Sequence, residues 1–311
     1  MKKPTILSLA FSFLCLPVLL SFFSCNNNKS DSFITIAGQV DSFAVNKLYL
    51  FSYKNEIDKY NNQKSIIDSS EIASDGNYII SLAANTPNFY DLKCGDNILR
   101  TNLFLQPGDN LIINFNGAEN KTEINDATVA GYCNKFLLQF IEHFFQSDEV
   151  KHFYYVESNY LNLADYEKYT SKRMTDETDF FNSYFKNPKP DKVFSDFMLS
   201  EIQYEYYNDN LMLRWKRRMR NQRMTDSTDA YLFLKNVAIE DSLALNSPAY
   251  FRFIKLYIND LYAQRVEKGL DPTTINSTAA IEKQKIADEK FHGIFKTIAL
   301  SVIDESIAKI E

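Results

Sequence analysis

Residues 103–115 read LFLQPGDNLIINF, and this stretch decides the fold of the N-terminal half. Two short apolar runs flank Pro107-Gly108-Asp109, where proline fixes φ and glycine permits the left-handed backbone of a tight turn. After the turn, Leu111, Ile113 and Phe115 recur with the period of two that is typical of a strand with one buried face. The stretch therefore predicts two β-strands joined by a tight turn.

The same period of two extends back to Phe33. Residues 34–40 and 47–51 are predicted as strands around a turn at Asp41-Ser42. Further strands are predicted on either side of Asp75-Gly76, which is a strong hairpin signal, and over residues 89–94. Six to eight short strands at this spacing predict an antiparallel β-sandwich or open barrel over residues 33–120.

Near Gly131 the apolar period becomes that of a helix. The residues that fall on one helical face are Cys133, Phe136, Leu137, Phe140, Ile141, Phe144 and Phe145. Breaks are predicted at residues 187–190, 246–248 and 269–272, where proline or glycine interrupts the pattern. The sequence thus predicts an α+β protein with an all-helical domain over residues 121–311.

A short sequence motif occurs twice in the helical region. Residues 173–179 (RMTDETD) recur as residues 223–229 (RMTDSTD), and each copy precedes an aromatic run, a proline-containing break and a second apolar stripe. One interpretation is a duplicated helical hairpin. The other is that Thr-Asp-x-Thr-Asp is helix N-cap chemistry used twice.

The amino terminus has the layout of an export signal. Lys2 and Lys3 precede a nearly continuous apolar run over residues 6–23, and Ser24-Cys25 ends it. Residues 20–25 (LSFFSC) resemble a lipobox, with a departure at Phe22, where an aliphatic residue is usual. We therefore predict a lipoprotein signal peptide over residues 1–24, lipidation of Cys25, and a polar tether over residues 25–32.

Two alternatives to lipidation stay open. The apolar run could remain as an uncleaved anchor helix, or the chain could be secreted with Cys25 incidental. In all three interpretations the chain is exported from the cytosol. The first predicts a lipid-anchored protein of the bacterial cell envelope, with the outer membrane facing the periplasm favoured because no strong acidic run follows Cys25.

The remaining cysteines of the exported chain are Cys94 and Cys133. In an oxidising compartment they could form one disulfide, and the alternative is two separate buried thiols. The chain has a formal charge of −6, which becomes −8 without Lys2 and Lys3. An acidic exported protein is not expected to bind nucleic acid.

The sequence lacks the motifs that are typical of several kinds of catalytic or cofactor site. The 8 glycines form none of the phosphate-binding or nucleophile-elbow motifs, so nucleotide-dependent chemistry is not expected. His143, His152 and His292 have no metal-ligand spacing. No catalytic pair of carboxylates is evident, and the sequence predicts neither a metal nor a cofactor.

A cationic run, Arg214-Trp215-Lys216-Arg217-Arg218, is the sharpest charge feature and continues to Arg223. It could contact a protein partner, lipid head groups or a glycan. Alternatively, it is a solvated helix surface whose cations pair with nearby acidic side chains. These are Glu201, Glu205, Asp209, Asp226 and Asp229. Tyrosine clusters at Tyr154-Tyr155 and at Tyr204, Tyr206 and Tyr207 could similarly form a platform for sugars.

The chain resembles the TlpA-type disulfide reductase lipoproteins, specifically the domain of unknown function that precedes their thioredoxin domain. The resemblance is carried by residues 36–40 (IAGQV), 67–78 (IDSSEIASDGNY) and 104–109 (FLQPGD). Residues 243–253 (LALNSPAYFRF) resemble that family's helical middle region.

The departure from that family determines the expected function. Its activity depends on a C-x-x-C in a C-terminal thioredoxin domain, and this chain has no C-x-x-C and ends at Glu311. We therefore expect a non-enzymatic binding or scaffold lipoprotein. The alternatives are a reductase that lacks its catalytic domain and a glycan-binding lipoprotein.

Overall fold

The computed structural model describes residues 32–41, 46–54, 58–59, 63–95, 97–116, 121–125, 128–145, 162–219, 228–267 and 277–308. The predicted signal peptide, Cys25 and the tether up to Asp31 lie outside the described residues. In the described part, eight strands are followed by six α-helices, which confirms the α+β prediction. None of the helices described has the length and hydropathy needed to span a bilayer.

The strands form a sandwich of two four-stranded sheets. In chain order they are β1 (Ser32–Asp41), β2 (Lys47–Ser52), β3 (Ser65–Glu71), β4 (Asn77–Ala84), β5 (Asn88–Cys94), β6 (Asn97–Leu105), β7 (Asn110–Asn116) and β8 (Lys121–Ile124). One sheet has the order β4-β1-β7-β8 and the other β3-β2-β5-β6. The last strand ends at Ile124, just past the predicted domain boundary at residue 120.

The predicted turns form, but most of them connect the two sheets instead of closing hairpins. Gly76 and Gly108 adopt the positive φ angles of 83° and 90° that the turn signals require. The strands around each of these glycines nevertheless belong to opposite sheets, as do the strands on either side of Asp41-Ser42. The hairpin prediction at Asp75-Gly76 is therefore wrong in its pairing, because β3 pairs with β2 in one sheet and β4 pairs with β1 in the other.

Strand β1 lies between an antiparallel and a parallel neighbour. It pairs antiparallel with β4 and parallel with β7, so the sandwich is mixed and not purely antiparallel. Gly38 is required at the β1–β7 crossing, since a Cβ there would lie 1.8 Å from the carbonyl oxygen of Ile113. The outer face of this sheet exposes Phe33, Ile79 and Ile112.

The sandwich core consists of inward-facing aliphatic and aromatic side chains of both sheets. Ile36, Leu50, Leu92 and Ile113 are fully buried. The periodicity of two along each strand produces this core, since alternate side chains point to opposite faces of a sheet. Cys94 lies in this core as a free thiol.

The helices follow the period predicted from Gly131 onward. They are α1 (Val129–Phe145), α2 (Leu163–Tyr184), α3 (Lys192–Met219), α4 (Pro248–Glu267), α5 (Ser277–Lys290) and α6 (Gly293–Ala308). Short 3-10 helices span Thr228–Leu234 and Ser242–Asn246. The breaks predicted at 187–190 and 246–248 are confirmed, whereas 269–272 lies outside the described residues.

The two copies of the RMTD motif differ in structure. The first lies inside α2, whose N-cap is Asn162, and the hydroxyls of Thr175 and Thr178 donate to backbone carbonyls four residues earlier. The first copy is therefore not an N-cap. Residues 223–227 of the second copy lie outside the described residues, and its described end begins a 3-10 helix. The duplicated helical hairpin stays a prediction.

A cluster of phenylalanines joins the sandwich to the helices. Phe89 of β5 and Phe104 of β6 pack on Phe194 and Phe197 of α3, with ring centroids 4.0–6.4 Å apart. Phe136 of α1 lies at the centre of the same cluster. Such aromatic contacts contribute about 1 kcal/mol each beyond burial, so the cluster makes the two parts one packed unit.

Candidate functional site

A cavity lies where the sandwich edge meets three helices. It has a volume of about 140 Å³. Its lining comes from β6, α1, α2 and α3 and consists of Asn102, Leu137, Phe140, Ile141, Phe145, Glu177, Phe197, Met198, Glu201, Ile202 and Glu205. Seven of these side chains are apolar and three are carboxylates, an unusual mixture for a cavity of this size.

Glu177 is the most deeply buried of the three carboxylates. Its side chain is only 2% exposed, and Oε1 lies 3.2 Å from Nε of Arg173, one turn earlier in α2. Among the described residues, this buried Oε1 accepts no hydrogen bond, because its contact with Arg173 is an ion pair without hydrogen-bond geometry. Burial raises the pKa of Glu177 to about 7, because desolvation outweighs the attraction of Arg173.

Glu201 caps helix α4 while it lines the cavity. Its Oε1 accepts hydrogen bonds from the Ser247 hydroxyl at 2.6 Å and from the backbone N–H of Ala249 at 2.9 Å. These donors lie at the start of α4, where backbone N–H groups lack helical partners. Burial nevertheless raises the pKa of Glu201 to about 7, against the lowering effect of both hydrogen bonds.

Among the residues that the structure describes, acidic groups outnumber basic groups around the cavity. Arg173 is shared by Glu177 and Asp209, with Nη1 2.7 Å from Oδ2 of Asp209. Glu205 pairs with Arg252 at 2.6 Å. Together with Glu201, four carboxylates thus share two guanidinium groups.

The backbone at Asn102 is shaped by a bulge at the cavity's sandwich side. Asn102 has a φ of 53°, a left-handed conformation that asparagine tolerates better than most residues. Its backbone N–H donates to Asp91, whose carboxylate also accepts from Lys64 at 2.7 Å. The bulge between β5 and β6 turns Asn102 toward the helices.

The lining of the cavity consists of apolar and acidic side chains and one amide. Within the part of the chain that the structure describes, the lining contains no serine, cysteine, histidine or lysine. In the same part, no three His, Cys, Asp or Glu side chains are placed to hold a metal ion. What the cavity offers is an apolar enclosure with buried acidic groups at its wall.

The predicted cationic patch is not a single surface. Arg214 is fully buried: Nη2 donates to Glu167 at 2.7 Å, and the guanidinium lies 4.3 Å from the centre of the Phe233 ring. Arg218 forms ion pairs with Asp260 and Glu267 of α4. The expectation of a ligand patch is therefore wrong for these two arginines.

The other three residues of the cationic run differ in their exposure to solvent. Trp215 is 47% exposed, and Lys216 and Arg217 are partly buried. Of the acids that were expected to pair with the run, Glu205 forms an ion pair with Arg252 and Asp209 forms one with Arg173. The arginines point into the helical packing because α3 is covered by α2 and α4 on those faces.

The other predicted site residues are placed as follows. Cys133 is a free buried thiol in the phenylalanine cluster and Cys94 is one in the sandwich core, so no disulfide joins them. Tyr204 and Tyr207 are core residues, and Tyr206 packs against the same cluster partly buried. Cys25 and Tyr154-Tyr155 lie outside the described residues.

The cavity carboxylates were not singled out from the sequence. Glu201 was interpreted as one of the surface acids, yet it follows Met198 by three residues and precedes Ile202 on the apolar side of α3. An acid adjacent to an apolar helical stripe was the signal that could have found it.

A second, wider depression lies on the outer face of the β4-β1-β7-β8 sheet. It has a volume of about 680 Å³ and is lined by residues that include Gln39, Asn77, Ile79 and Ile112. No buried charged group lines it, so it offers less specificity than the cavity. A scan against protein-family models and a search of curated proteins both find no match to this chain.

Proposed function

We propose that this chain is an exported lipoprotein, anchored in the cell envelope through Cys25, that acts as a non-enzymatic binding module. Its ligand site is the cavity between the sandwich and helices α1, α2 and α3. The observation that supports this most strongly is Glu177, a carboxylate that is 2% exposed and has an oxygen without a hydrogen bond at the wall of an apolar cavity. Cavities that stay empty are usually apolar, so a buried polar group at the wall indicates an occupant that hydrogen-bonds to it.

The anchoring part of the proposal is supported by the sequence around Cys25. The apolar run, the small residue before the cysteine and the polar tether after it are the elements of a lipidated export signal. The resemblance to the accessory region of disulfide reductase lipoproteins supports the same location. The lack of a strong acidic run after Cys25 favours a periplasm-facing position at the outer membrane.

Anchoring is tested by labelling cells with a palmitate analogue and comparing the full chain with Cys25→Ala and Cys15→Ala. We expect Cys25→Ala to lose the label and to leave the membrane fraction, because the acylated thiol is gone. Cys15→Ala is the matched control, since it removes a cysteine inside the leader, ten residues before the lipidation position, and should keep the label. Label retained on Cys25→Ala would show that the anchor lies elsewhere.

A further inference from the structure

The composition of the cavity wall specifies the kind of molecule that fits. Seven apolar side chains surround a volume of about 140 Å³, close to that of an apolar cavity that holds one benzene molecule, about 150 Å³. The body of a bound molecule must therefore be compact and apolar. This size excludes an oligosaccharide or a peptide as the group enclosed by the cavity.

The charges at the wall specify the polar end of that molecule. An ionised carboxylate is expensive to bury without a cation or several hydrogen-bond donors, and Glu177 has only part of one guanidinium group. Its free oxygen is an acceptor, so the complementary group is a donor that carries positive charge. Glu201 and Glu205 add negative charge to the same wall.

From these observations we infer that the cavity binds a small organic cation, with an ammonium group at Glu177 and a compact apolar body among Leu137, Phe140, Met198 and Ile202. The inference rests on the proposed function and names the ligand class of its site. A metal ion fits less well, because no group of three ligating side chains is found among the described residues. The apolar walls would also leave a hydrated metal ion without partners.

The inference is tested by isothermal titration calorimetry of the purified protein with benzylammonium and with benzyl alcohol at about pH 8. The two probes have nearly the same shape and differ in charge. We expect benzylammonium to bind at least about tenfold more tightly, because the charged donor satisfies Glu177. This comparison uses the unaltered protein and does not depend on any variant folding.

Variants then locate the interaction. Glu177→Gln preserves shape and removes the charge, so it should weaken benzylammonium binding about tenfold and leave benzyl alcohol binding unchanged. Glu123→Gln is the matched control, since Glu123 is an exposed carboxylate on β8 outside the cavity lining, and it should change neither affinity.

The outcomes separate this inference from the proposed function. Equal affinity for both probes, or tighter binding of benzyl alcohol, would overturn the cation as ligand class and leave the cavity as a binding site. Loss of benzylammonium binding equally in Glu177→Gln and Glu123→Gln would also overturn it. If neither probe bound, both the ligand class and the role of the cavity would be wrong, whereas anchoring at Cys25 would stand on its own test.

Discussion

Glu177 combines nearly complete burial with a charge that its ion pair compensates only in part. The side chain is 2% exposed, and its pKa is raised from 4.5 to about 7 by desolvation. Arg173 opposes this shift, whereas Asp209, Glu205 and Asp176 reinforce it. Without a ligand, the folded protein therefore holds a proton at Glu177 over a pH range in which the unfolded chain has released it.

This difference predicts a pH-dependent stability. Because the pKa is higher in the folded state, the contribution of Glu177 is fully present below about pH 4.5 and is lost as the pH rises through about 7. As the pH rises over this range, the free energy of unfolding of the wild-type protein should fall relative to that of Glu177→Gln, by about 3 kcal/mol in total. Urea denaturation at a series of pH values measures the difference.

The slope with pH is the diagnostic quantity in that experiment. Any effect of the substitution that does not involve ionisation of residue 177 shifts the whole curve of the variant by a constant amount, which leaves the slope unaffected. Glu123→Gln serves again as control, because its exposed carboxylate has no burial to relieve. A difference between wild type and Glu177→Gln that stays constant from about pH 4.5 to 8 would contradict the burial of this charge.

At the scale of elements, one side chain of helix α1 hydrogen-bonds to the backbone of the edge strand β6. Asn134 of α1 is fully buried; its Oδ1 accepts from the backbone N–H of Phe104 at 2.9 Å, and its Nδ2 donates to the carbonyl of Phe104 at 2.7 Å. These are the hydrogen bonds that another strand would make at the edge of β6. Asn134 therefore positions α1, which supplies one wall of the cavity.

Replacement of this side chain should be costly. Asn134→Leu leaves the N–H and the carbonyl of Phe104 buried without partners, and we expect a loss of about 3 kcal/mol in the free energy of unfolding. Asn134→Asp keeps an acceptor for the N–H but loses the donor. Thermal or urea unfolding of both variants is the measurement, and an Asn134→Leu protein as stable as wild type would contradict this contact.

The elements could be predicted from the sequence, but their pairing could not. Turn residues such as Gly76 and Gly108 mark where strands end, and their φ angles follow from local chemistry. Whether the chain then returns to the same sheet or crosses to the other depends on which faces fill the common core. That choice is a tertiary one, and the period of two is the same for both.

At the scale of the whole molecule, the cavity could not be predicted from the sequence, because it too depends on tertiary packing. Its wall combines Asn102 of the sandwich with Glu177 and Glu201 of two helices, residues far apart in the sequence. Arg214 shows the opposite error, because a cationic run on a helix is usually solvated and here lies beneath the 3-10 helix at Thr228–Leu234. Only the packing of α3 against its neighbours decides which charges are buried.

The phenylalanine cluster makes the sandwich and the helices a common frame for the cavity. Phe89 and Phe104 contribute from the strands, and Phe136, Phe194 and Phe197 contribute from the helices. Because protein interiors are closely packed, a ligand in the cavity should affect side chains of α1 and α3 together. The wider depression on the outer face of the β4-β1-β7-β8 sheet should be unaffected.

The most direct measurement is a methyl NMR titration of the labelled protein with benzylammonium. We expect saturable shifts at the methyl groups of the cavity lining, which are Leu137, Ile141, Met198 and Ile202. The methyl groups of Ile79 and Ile112, which lie exposed on the outer sheet face, should not shift. Shifts confined to Ile79 and Ile112, or no saturable shift at the cavity methyl groups, would contradict the assignment of the ligand site.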